Sequence, residues 1–105
     1  MAETGAPVIP LVSAGWDRRP RVENPVPWEG QQGSIEDYYE RPTPAEFAVH
    51  LRNGLQWIDN NPEVALARTV LIYAWNENDE GGWIVPTLTE GSAHLDAIRT
   101  VLSQR

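Results

Sequence analysis

A chain of 105 residues has room for one domain with a modest core. Its formal charge of −7 argues against nucleic acid and anionic membrane surfaces as partners, and no stretch approaches the roughly 20 apolar residues of a membrane span. The absence of cysteine excludes disulfides, thiol nucleophiles and cysteine-based zinc sites.

The opening "MAETGAPVIP" lacks the basic start and long apolar stretch of a signal peptide, so a soluble chain is expected, cytoplasmic by default. "APVIPLVSAGW", residues 6–16, is apolar on both faces, rich in β-branched residues and bounded by Pro and Gly; it predicts a strand. Residues 17–42 are charged and interrupted by proline, without clear periodicity, and read as a long loop. Such a loop inside a small domain usually serves function. Residues 43–60 predict a helix. Thr43 suits the N-cap, Pro44 the first turn and Glu46 the capping box, with Phe47, Leu51, Leu55 and Ile58 as the apolar stripe. Residues 68–75, "RTVLIYAW", predict a second strand. Residues 76–91 form an acidic loop, and residues 92–104 a last helix with Leu95, Ile98 and Leu102 on one side.

Two strand–helix units in succession imply α/β architecture, a βαβα unit with parallel strands and a right-handed crossover. "GWDRRPR" and "WNENDEGGW" then both follow the carboxyl ends of strands, where ligands bind in parallel α/β folds. Glu77 and Glu80 lie three apart and converge if the segment turns, which Gly81 and Gly82 make easy. Paired carboxylates flanked by Trp75 and Trp83 suit glycosidic chemistry. One protonates the leaving oxygen while the other meets the developing positive charge, and aromatic faces stack on sugars.

"YAWNENDEGGWIVPT" resembles the N-E-x-x-E-G segment of glycoside hydrolase family 99-like and WbsX-like barrels, and "SAGWDRRPR" resembles their G-W-D-x-x-P-R segment. The resemblance covers essentially the whole chain, as the last two βα repeats of a (β/α)8 TIM barrel. It implies retaining O-glycosyl hydrolysis, with no cofactor and no metal. Glu77 would assist the substrate's own 2-hydroxyl and Glu80 would serve as acid/base. Trp16, Asp17, Arg21, Trp75, Asn76 and Trp83 would bind and frame a carbohydrate. The sequence departs from the family at Asn78 and Asp79, where an aromatic often follows the first Glu.

Other readings stand beside this one. An acidic turn after a strand is often only a solvated loop. Asn76, Asn78, Glu80 and Gly81 echo the first half of a calcium loop, but Thr87 stands where its closing Glu belongs. His50 and His94 read as structural or exposed, and Trp57 as core. Tyr38 and Tyr39 could contact sugar or anchor the loop. The Arg18, Arg19 and Arg21 patch reads as a partner for the acidic loop. A non-catalytic carbohydrate-binding fragment, or a WbsX-like polysaccharide-biosynthesis protein performing glycosyl transfer, are the alternatives to hydrolysis. Two strands with open edges also predict a homo-oligomer, most simply a dimer, through Val8, Leu11, Leu71 or Tyr73.

Overall fold

The computed structural model describes residues 4–30 and 33–105; residues 31–32 of the expected 17–42 loop lie outside the described residues. The fold is mixed α/β, with one parallel strand pair and three helices.

Pro7 and Pro10 carry no backbone N–H, so the apolar run at 6–16 becomes a ladder strand only over β1, Leu11–Ser13. Its partner β4, Leu71–Tyr73, runs parallel to it in the register Leu11↔Leu71, Val12↔Ile72 and Ser13↔Tyr73. The pair extends beyond itself at both ends. Leu71 N–H donates to Pro10 O at 2.9 Å, and Ala14 N–H donates to Tyr73 O. The neighbouring Ser13 N–H points to the other side of β1, where His50 Nε2 accepts it at 3.3 Å. A helix side chain thus occupies part of an otherwise free edge.

The crossover contains α2, Pro44–Asn60. Glu46 N–H donates to Thr43 Oγ1 at 3.2 Å and Thr43 N–H to Glu46 Oε2 at 2.9 Å, closing a reciprocal capping box. At the far end Asn61 Nδ2 donates to Trp57 O at 2.8 Å. Phe47, Ala48, Leu51 and Ile58 are the buried stripe. Phe47, Ala48 and Leu51 meet Val12 and Ala14, at the end of β1, and Val101 of α3, Ala93–Ser103, in one core, with Leu55, Ile72, Leu95 and Ile98 packed around it. Leu102, expected on the inner side of α3, is exposed; it lies about 100° round the helix from Val101, and His94 takes the inward position instead.

Both helices contribute to a core on the Val12 side of the sheet. The opposite side leaves Leu11 62% and Leu71 53% exposed. An all-parallel sheet is ordinarily covered on both faces, as the sequence pattern suggests; here the described residues cover one.

The 17–42 stretch is more ordered than its lack of periodicity implies. It holds β2 (Trp16–Asp17), α1 (Arg19–Glu23) and β3 (Tyr38–Tyr39), with β2 and β3 antiparallel in the register Trp16↔Tyr39 and Asp17↔Tyr38. The acidic stretch is a small hairpin: β5 (Asn76–Glu77) and β6 (Gly82–Trp83) flank a single 3₁₀ turn over Asn78–Glu80.

Candidate functional site: an arginine-held carboxylate at the strand ends

The two motif segments meet through backbone. Gly81 closes the 3₁₀ turn in the left-handed region at φ 72°, and a Cβ there would stand 2.5 Å from Asp17 N and 2.6 Å from Asp17 Cβ. Gly15 approaches the Gly81 carbonyl just as closely from the other side. Only glycines at these positions let β2 and the acidic turn touch, and that contact brings the "WDRRPR" arginines onto the carboxylates.

Arg21 is the hub. Its Nε donates to Asp79 Oδ2, while its NH1 lies 3.5 Å from Glu80 Oε1 and 3.4 Å from both carboxylate oxygens of Glu29. Arg18 adds longer ion pairs, 3.7 Å to Glu29 and 4.0 Å to Glu80. On the other side of Glu80, the Tyr73 hydroxyl donates to Oε2. The Tyr73 ring packs against Trp16 with centroids 6.0 Å apart, and Arg18 sits 5.7 Å from the Trp16 ring centroid. Burial, reinforced by the neighbouring Glu80 carboxylate, pushes the Tyr73 hydroxyl up to about 12, so it is a donor throughout the neutral range. The Arg21 hydrogen bond holds Asp79 below the usual carboxylate range.

Asp17 pairs with Arg19 rather than with Arg21. It accepts from its near neighbour Arg19, Nε to Oδ1 at 2.8 Å and to Oδ2 at 3.0 Å, and this contact lowers its pKa. Arg19 in turn stacks over Tyr38 at 3.6 Å, so β3 is fastened to the rim of the site.

The hairpin register pairs Asn76 with Trp83 and Glu77 with Gly82, and side chains of adjacent residues alternate across it. Glu77 is exposed, and its carboxylate makes no hydrogen bond or ion pair among the described residues. Trp75 and Asn76 are exposed too. Trp83 belongs to a different cluster. Its ring lies 3.8 Å under Arg41, whose NH1 donates to Trp83 O at 2.8 Å and whose NH2 reaches Glu90 Oε2 at 3.1 Å and His94 Nδ1 at 3.3 Å. Buried His94 completes this cluster through Nε2 to Pro42 O at 3.2 Å.

Of the residues singled out from sequence, Trp16, Arg21 and Glu80 therefore converge, Glu77 borders them, Asp17 forms the rim, and Trp83 faces elsewhere. Arg18 and Arg21 meet the acidic turn as the arginine patch suggested, while Glu29, not singled out from sequence, joins both of them. Tyr73, singled out from sequence only as a candidate interface residue, is the donor to Glu80. Its place as the last residue of a strand that leads into the acids was the available signal. Among the described residues no group of three or more His, Asp or Glu is arranged to hold a metal ion, and no helix is long and apolar enough to cross a membrane.

Comparison with curated proteins and with solved structures returns no match. The family model described as "Glycosyltransferase WbsX" matches residues 1–98, which contain both strand-end motifs and most of the final helix. The chain belongs to this WbsX-like, glycosyl-handling family.

Proposed function

We propose that the two motif segments form part of a carbohydrate-processing site in which Glu77 and Glu80 are the reacting carboxylates. The reaction is retaining O-glycosyl hydrolysis without a metal. Glu77 engages the sugar's 2-hydroxyl and Glu80 acts as acid/base. The observation that carries this reading is the asymmetry of the pair. One carboxylate is fixed among Tyr73, Arg21 and Arg18, and its partner three residues away is open to solvent. Trp16 and Trp75 supply stacking faces and Asn76 a hydroxyl partner, with Asp17 and Arg21 shaping the rim; Trp83, under Arg41, lies outside it. The βαβα unit would be the last quarter of a (β/α)8 barrel. Its motifs stand at the carboxyl ends of parallel strands, and its bare sheet face is the one that would line the lumen. Association of copies, as a homodimer in the simplest case, would cover that face.

A second reading, glycosyl transfer, is favoured by the family's own description. Activity on a panel of aryl glycosides tests the first. Glu77→Gln and Glu80→Gln should each lower hydrolysis by roughly 10²–10⁴-fold while the fold stays intact by circular dichroism. A Glu80→Gln variant with full activity on a poor leaving group removes Glu80 from the acid role. Calorimetric binding of a nucleotide sugar, with no aryl glycoside hydrolysed, selects transfer.

A further inference from the structure

Glu80 is held at both oxygens from two different parts of the chain. Oε2 accepts the Tyr73 hydroxyl from the end of β4, and Oε1 faces Arg21 NH1 at 3.5 Å and Arg18 Nε at 4.0 Å from the segment after β2. Tyr73 is itself immobilised. Its backbone is in register with Ser13, and its ring lies against Trp16. Gly82 presses on the ring's other edge, where a Cβ would come within 2.9 Å of Tyr73 Cε1. A carboxylate with a separate partner on each oxygen cannot rotate without breaking one contact, and its side chain is only 19% exposed. We propose that Tyr73 is the positioning residue of the site, its hydroxyl fixing the orientation of Glu80 against the Arg21 guanidinium so that the carboxylate is presented to a sugar in one geometry. This rests on the reading of Glu80 as a reacting group. Tyr73 acts through Glu80 and touches no substrate.

The test is a double-mutant cycle on aryl glycoside hydrolysis with wild type, Tyr73→Phe, Glu80→Gln and the double variant. Tyr73→Phe keeps the ring and its packing on Trp16 and removes one donor. The expected result is a fall in kcat of about 10- to 100-fold with KM unchanged, the scale of a misplaced catalytic group. In the Glu80→Gln background the same substitution should change the rate less than about twofold, because the group it orients is gone. A structural role would instead add its full effect in both backgrounds, and that outcome overturns the proposal. So does a normal kcat for Tyr73→Phe beside an inactive Glu80→Gln, which leaves the role of Glu80 standing. Full activity in both Glu→Gln variants removes the site reading itself.

A readout that needs no turnover is the ¹³Cζ resonance of Tyr73, one of only three tyrosines. Glu80→Gln should move it at neutral pH while leaving Tyr38 and Tyr39 in place. A Tyr73 resonance indifferent to Glu80→Gln shows that the hydroxyl does not hold the carboxylate, and the proposal falls.

Discussion

A methyl group at position 81 would have to enter space held by the backbone of Asp17, in a left-handed conformation that L-residues adopt at a cost. Gly91 is the natural control, since it has φ +56° but nothing within 4 Å of a built Cβ. Gly91→Ala should cost about 1–2 kcal/mol for the conformation alone. Gly81→Ala should cost clearly more, roughly 3–4 kcal/mol, because the conformational penalty is joined by a main-chain clash. Urea denaturation of the two variants gives the comparison. Acid stability is argued at the same scale. Asp79 and Asp17 have folded pKa values depressed below the ordinary aspartate value by Arg21 and Arg19, so the folded state binds their protons less readily than the unfolded state. Their contribution is complete above the unfolded value and disappears as pH falls through the folded ones. Melting temperature should therefore decline as pH falls below about 4, the unfolded aspartate value, and Asp79→Asn should flatten part of that decline. The effect is modest, since the Asp79 side chain is 48% exposed and water screens the pair.

The longest element carries its instructions locally. Thr43, Pro44 and Glu46 specify the start of α2 and Asn61 its end, so Thr43→Ala should destabilise the protein by about 1 kcal/mol in chemical denaturation, with little change in slope. That is why α2 and the parallel order of β1 and β4 could be read from sequence. A helix of 17 residues repeats its apolar signal several times, and a strand–helix–strand order constrains direction. The strands themselves were legible only as regions. Apolar composition marked 6–16, yet proline and the lack of a second partner strand confine the ladder to three residues. The 17–42 stretch was illegible for another reason. Its order comes from Arg19 on Tyr38 and Arg21 on Asp79, contacts made after the chain has folded, and no periodicity encodes them. The acidic cluster was visible as a place where chemistry could occur, but the pairing of Glu80 with Tyr73 depends on a turn whose geometry only the glycines hint at. Trp83 packs away from the pair because its ring lies under Arg41, which also holds Glu90 and His94, and no local pattern announces a contact made across 42 positions of sequence.

At the scale of the molecule, dimensions restate the bare sheet face. A 100-residue domain is expected to have a radius of gyration of about 13 Å. The value here is 16.0 Å, in a body of 44 × 35 × 21 Å. A monomer of this mass should expose about 5,900 Å². This one exposes 7048 Å². The surplus, about 1,100 Å², exceeds the roughly 800 Å² that one subunit of a standard-size complex buries. Sedimentation at micromolar concentration should accordingly report a multiple of 11.8 kDa. Leu71→Arg, which places a charge on the open face without touching the core, should return the protein to monomer. A cooperatively melting wild-type monomer would refute the expectation. The same face has a colloidal consequence. At neutral pH the charge of −7 per chain limits association to small assemblies, although each chain carries a greasy patch beside unpaired strand edges. That repulsion vanishes near the isoelectric point of about 4.6, above the range in which the Asp17 and Asp79 ion pairs begin to fail. On acidification the protein should therefore become turbid while still folded, and it should clear again on return to neutral pH: precipitation of folded assemblies through open strand edges rather than through unfolding.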